Sequence, residues 1–371
     1  MVIIYYYLIL VWEEINMSDG NIVHVVGTGT IGEPLIGLLC DAKMDLGIDE
    51  ITFYKHTANL LDRPKIKGLI NRGANLVVSK EKVNDFQDIG TEPVYDTEEA
   101  IKRASVVIDC TPKGTGLMNK EKYYNKYKTR VKGFLAQGSE FGFGKMYALG
   151  INDEAIKKED KFIHIVSCNT HNMAVLINTL AIENKKNSLK EGKFLCIRRA
   201  NDISQVKSFI PSPEVGTHND KQMGTHHARD IYHLYNTMGI KLNVFSSALK
   251  LNTQYMHCIW YDLKLNTKIT LDEVIKKFVD NPRVAVTQKK SANLVFSFGR
   301  DHGHYGRILD QTVIVLPSIH VLNNNEVIGF CFTPQDGNSL LSSIAATERF
   351  LYPDSYNDKL NCLGAFLLQE V

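Results

Sequence analysis

The hydrophobic pattern changes period along the chain, and those changes divide it. Asn21-Ile22-Val23-His24-Val25-Val26 is a short β-rich run, and Ile51-Thr52-Phe53-Tyr54, Ala104 to Cys110 and Gly133-Phe134-Leu135-Ala136 are three more. Compact apolar runs bounded by polar corners predict buried strands. Helical periodicity begins between them, where Pro34, Leu35, Ile36, Leu38 and Leu39 follow the first run. Alternating strands and helices predict a doubly wound α/β sheet, whose ligands bind off the carboxyl ends of the strands. Phe162-Ile163-His164-Ile165-Val166 alternates as a strand and runs into Ser167-Cys168-Asn169-Thr170. Met173, Leu176, Ile177 and Leu180 then recur at helical spacing, which predicts an amphipathic helix.

Beyond this point two-residue alternation dominates. Strands are predicted over 243–250, 312–321 and 326–332, the last two joined at Asn323-Asn324-Asn325. Thr270 and Glu273 form a capping box ahead of Leu271, Val274, Ile275 and Phe278. The expected organisation is a nucleotide-binding domain over 17–166, an α+β domain with a largely antiparallel sheet over 167–334, and a C-terminal helical segment over 335–371. Val2 to Leu10 is apolar but too short to span a bilayer, and it lacks the basic start of a signal peptide. Residues 1–16 are expected to be an extension outside the fold, with Met17-Ser18-Asp19-Gly20 as a natural beginning.

Composition narrows the classes. Lys and Arg total 43 against 41 Asp and Glu, so nothing calls for nucleic acid or an acidic membrane as partner. Seven scattered cysteines, an odd number without C-x-x-C spacing, argue for a reducing compartment and against a disulfide framework or zinc site. His226-His227 are adjacent and His302-x-His304 lies between glycines, so no metal is expected.

Gly27-Thr28-Gly29-Thr30-Ile31-Gly32 sits between a predicted strand and a predicted helix, the context in which G-x-G-x-x-G binds a dinucleotide. Gly27 would make the turn, Gly29 admit the pyrophosphate, and Gly32 let the helix approach the strand. NAD-selective sites place a carboxylate at the end of the second strand; here Lys55-His56-Thr57 follows it. A lysine and a hydroxyl there would accept a 2′-phosphate, which favours or at least tolerates NADP.

Cys168 falls at the junction of a strand end and a helix N-terminus, where the positive end of the helix dipole is expected to lower a thiol pKa. A buried cysteine beside a Ser/Asn/Thr cap is the plainer alternative. Partners for a nucleophile are His171, His226, His227 and His257. His226-His227 lies in a loop-like stretch from Gly224 to Asp230, and His257 in the strand-like run Gln254 to Trp260. Arg198-Arg199 closes the strand Phe194 to Ile197 and suits phosphate recognition.

These motifs together, with Val166-Ser167-Cys168-Asn169-Thr170, Arg198-Arg199-Ala200, Thr225-His226-His227, Met256-His257 and Pro334-Gln335, fall in the order found in archaeal-type (type II) glyceraldehyde-3-phosphate dehydrogenase. From about residue 21 onward the chain resembles that family. The resemblance implies a Rossmann-type domain, a C-terminal helix over Ser339 to Phe350 that returns to it, and phosphorylating oxidation of an aldehyde. Cys168 would form the thiohemiacetal and then the thioester, with His257 as general base. Ser167, Asn169, Thr170, Arg198, Thr225, His226 and His227 would contact substrate or phosphate. The glycine loop with Thr30 and Ile31, Lys55-His56-Thr57, the Gln137-Gly138-Ser139 corner, Arg199 and Gln335 would hold the cofactor. NADP, with NAD also accepted, inorganic phosphate as co-substrate, a cytoplasmic homotetramer and a place in glycolysis or gluconeogenesis belong to the same implication. Three departures stand near the substrate: His171-Asn172 in place of Thr-Gly, Ala228-Arg229-Asp230 in place of Gly-Pro-Asp, and Asn201-Asp202 after the arginines. They leave open a related thioester-forming dehydrogenase of another phosphorylated aldehyde, and a catalytically silent dinucleotide-binding protein.

Overall fold

A computed structural model describes residues 20–202, 209–334 and 336–371. The extension expected over 1–16 lies outside the described residues, as does Gln335.

The first half forms a parallel sheet of β1 (Ile22–Val26), β2 (Glu50–Tyr54), β3 (Ala74–Val78), β4 (Tyr95–Asp96), β5 (Val106–Asp109), β6 (Gly133–Gln137), β7 (Lys145–Tyr147) and β8 (Phe162–Ile165). They lie in the order 4-3-2-1-5-6-8-7, and each neighbouring pair is parallel. Val23, Val25, Ile51, Phe53, Leu76, Ile108 and Leu135 are fully buried, which is why these strands read as unbroken apolar runs. The order reverses between β1 and β5, and the glycine loop leaves β1 at that crevice on its way to helix α1 (Gly32–Asp41).

The second half carries a short hairpin, β9 (Ile182–Glu183) and β10 (Lys186–Asn187), and a larger mixed sheet. That sheet holds β11 (Leu189–Arg198), β12 (Glu214–Val215), β13 (Val244–Lys250), β14 (Cys258–Leu265), β15 (Val284–Thr287), β16 (Thr312–Val315), β17 (His320–Leu322) and β18 (Glu326–Phe332). It is antiparallel apart from the pairs β11–β13 and β15–β16. The single strand expected over 312–321 is two strands, because Pro317 cannot donate to a ladder and opens a 3₁₀ turn at Leu316–Ser318. The hairpin that follows turns on Asn323 and Asn324, both in the left-handed region at φ +50° and +57°, which asparagine tolerates.

Helix α2 (Cys168–Ala181) joins the halves. The sequence reads as amphipathic, yet Asn169 to Ile177 are all buried, because α2 lies between the second sheet and neighbouring helices α3 (His226–Asn236), α4 (Leu271–Val279) and α5 (Gly337–Leu351). The polar residues of its first turns are therefore obliged to find partners inside the protein. Helix α4 carries the full capping box of Thr270 and Glu273. Helix α5 packs on β5, β6 and β8, adding Leu340, Leu341, Ile344, Ala345 and Ala346 to the first domain's core. The chain then crosses back: Val371 N donates to Val286 O at 2.9 Å, and Val371 is buried against Met256 and Ala285 of the second domain.

Candidate active site

Cys168 is the first residue of α2, half-buried, with Ser167 as N-cap. The Ser167 hydroxyl accepts from Thr170 N at 3.3 Å and lies 2.9 Å from the Thr170 hydroxyl, so both side chains hold the turn that presents the thiol. The amide of Asn338, in the first turn of α5, donates to Cys168 O at 3.0 Å and to Gln311 O at 3.1 Å. Burial pushes the Cys168 thiol up to about 12; Asp336 pushes the same way, and Arg199 and Arg198 oppose. The lowered pKa expected from the helix terminus is thus overturned, because loss of hydration outweighs the dipole while the site is closed around a neutral thiol.

His171, a departure from the family pattern, is fully buried and fully bonded. Its Nδ1 donates to Ser167 O at 3.0 Å and its Nε2 accepts from the Ser342 hydroxyl at 2.8 Å, tying the nucleophile turn to α5. Burial lowers its pKa to about 4. It is a strut rather than a proton-accepting neighbour of the thiol.

His257 precedes β14 rather than lying inside a strand, and is buried. Its Nδ1 is 3.0 Å from Asn169 Oδ1, and Asn169 Oδ1 also receives the Thr333 hydroxyl at 3.1 Å. An amide oxygen only accepts, so Nδ1 carries the proton and Nε2 keeps its lone pair. Burial holds the imidazole neutral, well below the usual range, and Arg199 and Arg198 reinforce this. The residue next to the thiol in the chain therefore fixes the tautomer a general base requires.

A cavity of about 590 Å³, lined by neither Cys168 nor His257, holds the second group of expected site residues. Arg198 from the end of β11, and Thr225, His226 and His227 from the start of α3, line it together with Lys113, Ser139 and Phe141 from corners of the first domain. The stretch expected as loop is helical from His226; the Thr225 hydroxyl lies 2.6 Å from Ser246 Oγ, which accepts Ala228 N at 3.1 Å and completes the cap. Burial lowers His226 to about 4, with Arg198, Arg229 and Lys113 adding to the effect, and also holds His227 well below its ordinary value. Among the described residues neither ring nitrogen of His227 has a hydrogen-bond partner. Arg199 does not line this cavity: it pairs with Asp202 at 2.6 Å and is 4% exposed, and among the described residues its Nε and Nη1 have no partner. The Glu140 carboxylate in the lining accepts from the backbone N–H groups of Gly114 and Leu117, so its charge is directed away from the cations. Arg229 stacks over the Phe141 ring at 4.5 Å and pairs with Asp230 at 2.9 Å, linking the two domains across the cavity mouth.

The glycine loop fits a dinucleotide. A Cβ on Gly32 would stand 2.0 Å from Gly27 O, and Gly27 is at φ +101°, whereas a Cβ on Gly29 would meet nothing within 4 Å. Strand and helix are therefore in close approach, and the middle of the loop faces open space suited to a pyrophosphate. Thr30 and Ile31 complete the loop, and no side chain caps α1 at Ile31. The second-strand end differs from its expectation. Lys55 is bound to Asp62 at 2.7 Å, and Lys65 reaches Glu33 at 3.3 Å and Thr28 O at 3.3 Å. A carboxylate does stand there; the chain delivers it from the following loop, not from the strand. His56 bonds the Tyr54 hydroxyl at 3.2 Å and Thr57 is exposed. Gly138, at φ +76°, is held through its carbonyl by His164 Nε2 at 2.7 Å, while Ser139 faces the anion cavity. Lys113, Arg229, Asn338 and Asp62 were not among the sequence candidates. Arg229 showed only as a departure, and the other three carry no local signal.

No family model matches the chain. It is similar over most of its length to archaeal proteins named glyceraldehyde-3-phosphate dehydrogenase. The one from Metallosphaera sedula is 28% identical over 314 residues, covering 81% of this chain and 84% of that protein. The one from Sulfurisphaera tokodaii is 28% identical over 320 residues, covering 82% and 84%. That from Pyrobaculum islandicum is 23% identical over 314 residues, covering 81% and 84%. These archaeal homologues are the relatives to which the order of motifs pointed.

Proposed function

We propose that this homologue of archaeal glyceraldehyde-3-phosphate dehydrogenases oxidises glyceraldehyde 3-phosphate, or carries out the reverse reduction, through a thioester on Cys168. The observation that carries the reading is the hydrogen bond from His257 Nδ1 to Asn169, the residue that follows the half-buried Cys168, which leaves Nε2 free to act as a base. The neutral thiol becomes nucleophilic on losing its proton, and His257 Nε2 is the acceptor for it as the sulfur–carbon bond forms. Thiolate addition to the aldehyde gives an alkoxide that takes the proton back from His257 to form the thiohemiacetal, and His257 Nε2, neutral again, accepts that hydroxyl proton as C1 loses hydride. A nicotinamide dinucleotide held by the glycine loop supplies the hydride acceptor. Inorganic phosphate then attacks the thioester carbonyl and displaces the Cys168 thiolate, giving an acyl phosphate. Arg198, His226, His227 and Lys113 suit the anionic groups of aldehyde and phosphate; charge-assisted bonds inside a cavity are the strong kind.

Lys55, near the glycine loop, favours NADP, while Asp62 beside it offers an acceptor for the ribose hydroxyls of NAD, so both cofactors are expected to serve. A second reading, another phosphorylated aldehyde as substrate, is favoured by Arg229, which adds a cation where the family pattern has none. We expect a cytoplasmic homotetramer, as the resemblance implies. The test is a steady-state assay with glyceraldehyde 3-phosphate, phosphate or arsenate, and each cofactor. Anion-dependent reduction of NADP or NAD is expected. Turnover independent of both anions would refute the phosphorylating step, and no reduction with either cofactor would refute the activity.

A further inference from the structure

We infer that Thr333 and Asn172 are positioning residues for the general base, acting through Asn169; the inference rests on His257 being that base. Four buried side chains form an ordered chain of hydrogen bonds leading to the imidazole. The Cys331 thiol donates to Asn172 Oδ1 at 3.2 Å, and Asn172 Nδ2 donates to Thr333 Oγ1 at 2.9 Å. The Thr333 hydroxyl donates to Asn169 Oδ1 at 3.1 Å, where the His257 Nδ1 proton also arrives at 3.0 Å. Thr333 N further donates to His257 O at 2.9 Å, so the same residue grips the histidine's backbone and its partner.

The order of donors matters more than the number of bonds. A hydroxyl has one proton. Because Asn172 N–H occupies a lone pair of Thr333, the Thr333 proton is directed at Asn169, and only an oxygen can receive it there. The amide of Asn169 is therefore locked with Oδ1 toward His257. Reversed, it would turn its NH₂ group to the ring, force the proton onto Nε2 and remove the base's lone pair. Asn169, Asn172, Thr333 and Cys331 are each at most 3% exposed, so bulk solvent does not compete to hold the amide. Asn172 is one of the positions at which this chain leaves the Thr-Gly pattern, and the side chain it gains there is the one that orients Thr333. The chain has thus added a second layer behind its base where the family pattern has a bare backbone.

The test compares Thr333→Val, which keeps the shape and loses the hydroxyl, with Thr333→Ser, which keeps the hydroxyl, in the full chain, with His257→Gln as reference. Thr333→Val is expected to lower kcat about tenfold, as expected for one misdirected hydrogen bond at the reacting centre, with KM for the aldehyde unchanged. Thr333→Ser should restore it. Selective ¹⁵N-histidine NMR should show His257 protonated on Nδ1 in the parent and in Thr333→Ser, and shifted toward Nε2 in Thr333→Val. Asn172→Leu, expected to lower kcat about threefold through the same route, keeps the question decidable if Thr333→Val does not fold. A full kcat and an unchanged tautomer in the valine or leucine variant, with His257→Gln inactive, would overturn the inference. A fully active His257→Gln would instead overturn the base assignment, leaving the two failures distinct.

Discussion

The two sides of this cleft are built on opposite principles. On the side of Cys168 and His257 nearly every buried polar atom is matched: Ser167 with Thr170, His171 with Ser167 O and Ser342, His257 with Asn169, and Asn338 with Cys168 O. On the anion side His227 lacks a partner among the described residues at both ring nitrogens. A saturated network fixes positions, as proton transfer demands. Unmatched buried donors cost stability, each about 1–3 kcal/mol, and that cost is recovered only when an anion fills the space. The contrast separates the part of the site that performs chemistry from the part that waits for a ligand.

Breaking the saturated side should have the largest effect. His257→Gln keeps a polar side chain but removes the base, and kcat is expected to fall about 10²–10⁴-fold in the steady-state assay, with KM little changed. A pH titration of stability sharpens the same point. Burial depresses His24 to about 3 and His164 and His171 to about 4, from an ordinary 6.5. Between those limits the unfolded chain binds protons at these three groups that the folded one refuses, so their contribution to stability falls as pH drops from about 6.5 to about 4, against the opposite contribution of the buried carboxyls Asp310 and Glu348, which burial raises to about 7 and about 8. Each group contributes up to about 1.4 kcal/mol per pH unit in that window, readable from urea unfolding midpoints. Replacing His171 should flatten its share of the slope.

The anion side should respond through binding instead. Arg198→Ala is expected to raise KM for the aldehyde or for phosphate about 10- to 100-fold with a smaller change in kcat, the signature of a lost charge-assisted contact. An equal loss of kcat would blur the division between the two sides. The smallest effect is expected at the ribose end. Asp62→Asn frees Lys55 from a partly exposed ion pair, and the ratio of NADP to NAD dissociation constants, measured by fluorescence titration, should shift toward NADP about fivefold. A shift toward NAD would mean that Asp62 does not restrain the lysine.

The two sides also differed in how far they could be read beforehand. The glycine loop was legible because its function is written in local sterics: Gly32 and Gly27 meet within one turn of chain. Cys168 was legible for the same reason, since strand end and helix start are adjacent in sequence. Its partners were not. Asn338 and Thr333 reach the nucleophile turn from about 165 residues away in the chain, and nothing in their own neighbourhood marks them. Asp62 was hidden by a loop that folds back on Lys55, which reversed the reading of an uncompensated cation. The burial of Asn169 to Asn172 was equally hidden, because the helix they open looks amphipathic until a second sheet and α5 close over its polar face. Pro317 stands within an alternation that by itself predicts one continuous strand, and its missing N–H divides that run in two.

The most direct measurement is intact-mass spectrometry of the protein after incubation with glyceraldehyde 3-phosphate and NADP in the absence of phosphate. A stoichiometric phosphoglyceroyl adduct on the peptide bearing Cys168, discharged on adding phosphate, is the expected result. An unmodified Cys168 under conditions in which the cofactor is reduced would contradict the thioester mechanism.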